Sequence, residues 1–63
     1  FYIKTLGKVN IRKLPDENSD IVYTVPRAGI RYRVTKISDN GQWGYVRYRD
    51  GWITLNENYV KEE

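Results

Sequence analysis

Gly41-Gln42-Trp43-Gly44-Tyr45-Val46-Arg47-Tyr48-Arg49-Asp50-Gly51-Trp52-Ile53 is the stretch on which the fold turns. It holds both tryptophans, two of the six tyrosines and three of the five glycines. Two short β patterns meet in it at Asp50-Gly51, a tight-turn pair. Bulky aromatic and β-branched residues at alternate positions fit a pleated surface with one covered face. The other face then presents rings and guanidinium groups to solvent.

Upstream of this stretch, Ile30 to Ile37 alternates Ile30, Tyr32 and Val34 with Arg31, Arg33 and Thr35, which predicts a strand. Ser38-Asp39-Asn40-Gly41-Gln42 reads as the hairpin loop returning into Trp43–Arg49, with Asn-Gly supplying residues that tolerate positive φ. A register centred on Asn40 sets Val34 opposite Val46 and Tyr32 opposite Tyr48, with Ile30 on the same inner face. The outer face then pairs Ile37 with Trp43, Thr35 with Tyr45, Arg33 with Arg47 and Arg31 with Arg49. Opposed arginines repel by up to roughly 1 kcal/mol per pair, so carboxylates, ring stacking or a shifted register must offset them. Solvated guanidiniums near the acidic loop Asp16–Asp20, or a bound anion, are the two accounts of that basic face.

Further out, Phe1–Leu6 predicts a first strand and Val9-Asn10-Ile11-Arg12 a second, with Val9 and Ile11 inward and Asn10 and Arg12 outward. Leu14–Asp20 is a polar loop opened by Pro15, which Arg12 is placed to tie down. Ile21–Val25 predicts a strand with Ile21, Tyr23 and Val25 on one side, and Pro26–Gly29 a turn. Ile53 and Leu55 face inward, with Trp52 outward or in a second small core. Asn56–Val60 is too short for a helix with its own core and predicts a single 3₁₀ turn. No segment of ten residues has a helical period. Five to six short antiparallel strands in one domain, residues 1–63, make an all-β small barrel or sandwich.

Composition narrows function. At 63 residues the core is thin, since a chain near this length buries only about 60 % of its unfolded surface. With no Cys, His or Met, disulfides and thiolate metal sites are excluded, and stability must come from strand pairing and large rings. The same inventory lacks an acid-base group poised near neutral pH and a thiol nucleophile, so a non-enzymatic module without metal or cofactor is expected. Net charge is +3 and pI about 9.3, a mild excess that suits an anionic surface but is common on solvated domains. No apolar run approaches the roughly 20 residues of a membrane span. The chain begins at Phe1 and ends on Lys61-Glu62-Glu63, and is expected to be a piece of a longer protein.

Taken in order, Val9-Asn10-Ile11-Arg12, Pro15, Ile21–Val25, Gly29, Tyr32, Val34, Asn40-Gly41, Trp43, Val46, Gly51-Trp52-Ile53 and Tyr59-Val60 resemble the bacterial SH3 (SH3b) family over residues 8–60. The resemblance implies an SH3-like barrel of five to six short antiparallel strands. It also implies a cell-wall-binding module of a secreted peptidoglycan hydrolase, phage endolysin or surface protein. The partner would be a peptidoglycan stem or cross-bridge peptide, the location extracellular, and any hydrolase activity in another domain. The C-terminal Gly-aromatic-apolar and Asn-Tyr-Val elements are also similar to eukaryotic SH3 domains. There, however, a proline stands where this chain has Thr54, two extra residues precede Asn58-Tyr59-Val60, and no Ala-Leu-Tyr-Asp-Tyr motif opens the chain. A PxxP groove is therefore not carried over.

In eukaryotic SH3 domains the ligand-contacting tryptophan stands where Trp43 does, three residues before a small core residue (here Val46), and the tyrosine of the Asn-Tyr-Val ending, here Tyr59, lines the same groove; that similarity implies ligand-contacting places for both rings. Tyr45, Asn10, Asn58, Arg33 and Arg47 complete the candidate ligand-binding set, and the acidic loop 16–20 is placed to wall one side of such a groove. Trp43 has the alternative of merely covering Ile37 and the end of the barrel. Two other classes stay open. Basic charge interleaved with aromatics can stack on single-stranded nucleic acid, although the charge excess is small. A structural spacer, or a module contacting other domains of its own protein, would need no ligand.

Overall fold

Alternation of buried and exposed residues is the local rule from which this architecture is built. In the computed structural model, which describes residues 1–63, the strands are β1 (Tyr2–Thr5), β2 (Val9–Arg12), β3 (Ile21–Val25), β4 (Arg31–Arg33), β5 (Lys36–Ile37), β6 (Trp43–Val46), β7 (Gly51–Thr54) and β8 (Val60–Glu62). One 3₁₀ turn, Arg47–Arg49, lies between β6 and β7, and there is no α-helix. In β1, Ile3 and Thr5 are buried while Tyr2 and Lys4 are exposed, and β2 buries Val9 and Ile11 in the same way.

All pairings are antiparallel and form two sheets, ordered β4-β1-β8 and β3-β2-β7-β6-β5. Neither sheet closes on itself. Between them lies one core of Ile3, Val9, Ile11, Val25, Tyr32, Val34, Val46, Ile53 and Val60, with half-buried Tyr23, Ile30 and Leu55 against it. Every strand except β5 supplies at least one of these residues, so no element holds a core alone.

The expected Ile30–Ile37 strand is divided. β4 pairs with β1, and the Val34 N–H still donates to Phe1 O at 2.7 Å. At the next residue the Thr35 N–H donates to Tyr45 O at 3.1 Å, and β5 pairs with β6. The chain changes sheets at Val34/Thr35, as corner strands do in packed sheets. Side-chain alternation survives this corner, so the sequence reads as one strand.

The hairpin register is one residue off the expected centre, with Lys36 opposite Tyr45 and Ile37 opposite Gly44. Its loop closes with Gly41 N–H donating to Ser38 O at 2.8 Å and Gly41 at φ 75°, a four-residue turn whose last residue is a left-handed glycine. Ser38 Oγ accepts from the Trp43 N–H at 3.0 Å, and Asn40 Oδ1 from the Gln42 N–H at 3.0 Å. Consequently neither Ile37 with Trp43 nor Arg33 with Arg47 is a cross-strand pair, and Arg31 pairs with Lys4 of β1 rather than with Arg49.

After Val46 the chain leaves the sheet, so Tyr48 falls on the 3₁₀ turn and is 82 % exposed rather than in the core. Ile21 is also exposed, because β3 lies at the sheet edge and the register shifts next to it, between Ile11 and Arg12. The 3₁₀ turn itself is at Arg47–Arg49 and not at Asn56–Val60. There Asn56 Oδ1 accepts from the Asn58 N–H at 2.8 Å and Asn56 O from the Tyr59 N–H at 2.9 Å, a turn organised by an Asn side chain.

The arginines are offset by separate means. Arg31 bonds Glu63 at 3.0 Å and stacks on Tyr2 at 4.0 Å, while Arg49 lies 3.5 Å above the Tyr23 ring. Of Arg31, Arg33, Arg47 and Arg49, Arg31 alone has a carboxylate partner, and that partner is Glu63, not the Asp16–Asp20 loop.

Candidate functional site

Hairpin loops at one end of the larger sheet enclose an open groove of about 970 Å³. Its floor comes from β2 (Val9, Asn10, Arg12) and from Thr54-Leu55 at the end of β7. Pro15, Asp16 and Glu17 wall one side, Asn40–Trp43 and Asn56 another, and Tyr59 contributes its ring. Sequence positions 10, 43 and 59 are therefore brought together by topology alone.

Each is held by a local device. Trp43 opens β6 opposite Thr54, with its backbone fixed at both ends of the loop: its N–H donates to Ser38 Oγ and its carbonyl accepts from the Ser38 N–H at 2.8 Å. The indole is half-buried, so a face remains available for contact. Tyr59 ends the Asn56 turn, its carbonyl accepting from the Leu6 N–H at 2.9 Å, and its side chain is 49 % exposed. Asn10 Oδ1 accepts from Thr24 Oγ1 at 2.9 Å, which fixes the amide at the floor.

The acidic wall is tied to β2 by Arg12, whose Nη1 donates to Ser19 O at 2.9 Å. The Lys13 N–H donates to Asp20 O at 2.8 Å, and the Leu14 N–H to Ser19 Oγ at 2.9 Å. Asp16 Oδ1 caps the Asn18 N–H at 3.0 Å. Arg12 thus has the loop-anchoring place that its outward position on the second strand suggested, while also lining the groove.

The remaining candidates lie elsewhere. Tyr45 is on the neighbouring face, edge-on to Trp52 with centroids 5.3 Å apart and its hydroxyl donating to Asp50 Oδ1. That hydrogen bond, then desolvation and the Asp50 charge, raise the Tyr45 pKa above its ordinary value. Trp52 is half-buried in this small aromatic pair. Asn58 is exposed in the turn but does not line the groove, and Arg33 and Arg47 are exposed on β4 and on the 3₁₀ turn. Sequence reasoning missed Gln42, Thr54 and Asn56 as lining residues; for Asn56 the signal was the Asn-Glu-Asn run, read only as a turn.

Chemically the groove offers flat rings, amides on several sides and two carboxylates. Rings can cover an extended backbone while amides hydrogen-bond it. No three His, Cys, Asp or Glu side chains converge where they could hold a metal ion. No helix is long and apolar enough to cross a membrane. No protein-family model matches the chain, and no curated protein or solved structure is significantly similar to it.

Proposed function

We propose that this chain is a non-catalytic, SH3-like peptide-binding module that docks a larger extracellular bacterial or phage protein on the cell wall, with a peptidoglycan stem or cross-bridge peptide as ligand. The observation that carries the proposal is the convergence of Trp43, Tyr59 and Asn10 on one open groove. These residues are far apart in sequence, and the first two stand where eukaryotic SH3 domains place groove aromatics. Two sheets around a single core, with a corner at Val34/Thr35, are consistent with an SH3-like barrel as the finer architecture. The rings lie on the ligand backbone and the amides of Asn10, Gln42 and Asn56 pair with it.

The test is a cell-wall pull-down of wild type, Trp43→Ala and Arg33→Ala/Arg47→Ala at low and high salt, with folding checked by NMR. Loss of a central aromatic anchor costs about 2 kcal/mol, roughly thirtyfold in affinity. The expected result is weak binding by Trp43→Ala, near-normal binding by the double arginine variant, and no soluble wall fragments released by any of them. A folded Trp43→Ala that binds like wild type, beside a double arginine variant that does not bind, would move the site to the basic face.

A further inference from the structure

Four strands lie at sheet edges: β4 and β8 in the smaller sheet, β3 and β5 in the larger. An edge strand leaves part of its backbone unpaired and can template another strand. Three of these edges carry charge, which discourages such pairing: Arg31 and Arg33 on β4, Lys61 and Glu62 on β8, Lys36 on the two-residue β5. The fourth does not. β3, Ile21-Val22-Tyr23-Thr24-Val25, is the longest strand and contains no charge, proline or glycine. Its ladder runs to β2, and no loop or side chain bonds its outward N–H and C=O groups. Ile21 and Val22, where the register with β2 shifts, are 49 % and 43 % exposed.

Charge lies just beyond the two ends of β3, with opposite signs. Asp20 precedes the strand, and Arg27 follows it after Pro26. Both are exposed and neither has an ion-pair partner, because the protein's two ion pairs join Lys4 and Arg31 to Glu63. Only their carbonyls are engaged, that of Asp20 accepting from the Lys13 N–H and that of Arg27 from the Thr5 hydroxyl. Two β3 strands set antiparallel and centred on Tyr23 or Thr24 bring Asp20 of each copy within one residue of Arg27 of the other. The edge is therefore complementary to itself in backbone, apolar surface and charge.

We propose that β3 pairs with β3 of a second copy of this chain, in a two-fold dimer that joins the two larger sheets into one. Five residues a side make a small contact, so the dimer is weak and forms at high protein concentration. No β3 residue lines the Trp43 groove, so the dimer carries two grooves, whatever their ligand.

The test is sedimentation velocity of the 63-residue protein from micromolar to millimolar concentration, with ¹⁵N spectra over the same range. The average mass is expected to rise toward that of a dimer, and the concentration-dependent shifts to gather on residues 20–27. Asp20→Arg and Arg27→Asp each oppose like charges at both ends of the strand pair while leaving the backbone bonds in place. Each is expected to weaken the dimer about tenfold, the size of two exposed ion pairs turned to repulsion. In an equimolar mixture of the two variants every end contact again joins opposite charges, and association returns as a mixed dimer. A wild type that stays monomeric, or a dimer whose shifts lie outside residues 20–27, overturns the proposal. So do variants that associate like wild type, or a mixture no better associated than its components. Shifts on β3 that appear only on adding an extended peptide, acetyl-Thr-Val-Thr-Val-Thr-amide, assign the edge to a foreign strand and overturn it as well.

Discussion

Of the five glycines, Gly51 leaves least room for a side chain, and Gly51→Ala is the sharpest test of the packing described above. A Cβ at this position would lie 2.6 Å from Ile11 Cγ2, 2.8 Å from Val22 Cγ2 and 2.9 Å from Arg12 O. All three belong to the β2–β3 hairpin, whose strand β2 pairs with β7. Arg12 O is backbone, so relief requires β2 and β7 to separate by several tenths of an ångström at the Arg12–Trp52 pair. Overpacking of this kind costs about 1–3 kcal/mol. The stiffer alanine in the unfolded chain returns about 0.4–1 kcal/mol. A net loss of about 1–2 kcal/mol is expected from these ranges, a large share of a thin-cored domain's stability. Gly44→Ala is the internal control. Its Cβ would meet side-chain atoms only, Val34 Cγ1 at 2.8 Å, Leu55 Cδ2 at 3.0 Å and Val34 Cγ2 at 3.1 Å, with no backbone atom among them. Urea unfolding followed by tryptophan fluorescence should rank wild type above Gly44→Ala and Gly44→Ala above Gly51→Ala. Because Leu55 lines the groove, Gly44→Ala should also shift groove resonances. A Gly51→Ala protein as stable as wild type would refute the close β2–β7 approach.

Two further outcomes follow from local contacts. Arg12→Leu removes the tie to Ser19 and should speed amide exchange across Leu14–Asp20 at a global cost of about 1–3 kcal/mol; unchanged exchange in the loop would show that Arg12 does not anchor it. Tyr45 has a folded-state pKa raised by its bond to Asp50, so its contribution is fully present below the ordinary tyrosine value of 10.0 and is lost as pH rises through the folded value. The stability gap between wild type and Tyr45→Phe should therefore be flat at neutral pH and close above pH 10.0, and a gap that widens there would reverse the assigned sign.

Much of the core was legible because burial follows a two-residue period. Val9, Ile11, Val25, Tyr32, Val34, Val46 and Ile53 are all buried where alternation puts them. What the pattern cannot carry is a change of partner. Val34 and Thr35 look like neighbours on one strand but belong to different sheets, and only long-range pairing with β1 separates them. The register error has a similar cause. Asn40-Gly41 marks the turn, but its centre is set by the Ser38 and Asn40 side chains bonding across the loop. Thr5 escaped notice altogether. It is 1 % exposed, its hydroxyl donating to Arg27 O at 2.9 Å and accepting from the Ile30 N–H at 3.0 Å, and nothing near it in sequence points to that turn.

The same limit explains why the candidate site was only partly legible. Aromatic type and position select Trp43 and Tyr59, but the charge around them depends on which loops fold over β2. Counted along the chain, arginines flank the aromatic stretch and suggest a basic binding face. In three dimensions Arg31 stacks on Tyr2 and pairs with Glu63, and Arg49 stacks on Tyr23, both outside the groove. The Asp16–Glu17 loop, folded back by Arg12, becomes the immediate neighbour of the groove. Arg12 thereby supplies the groove's one guanidinium and, through Ser19, ties down the loop that brings two carboxylates to it, so one residue sets charges of both signs there.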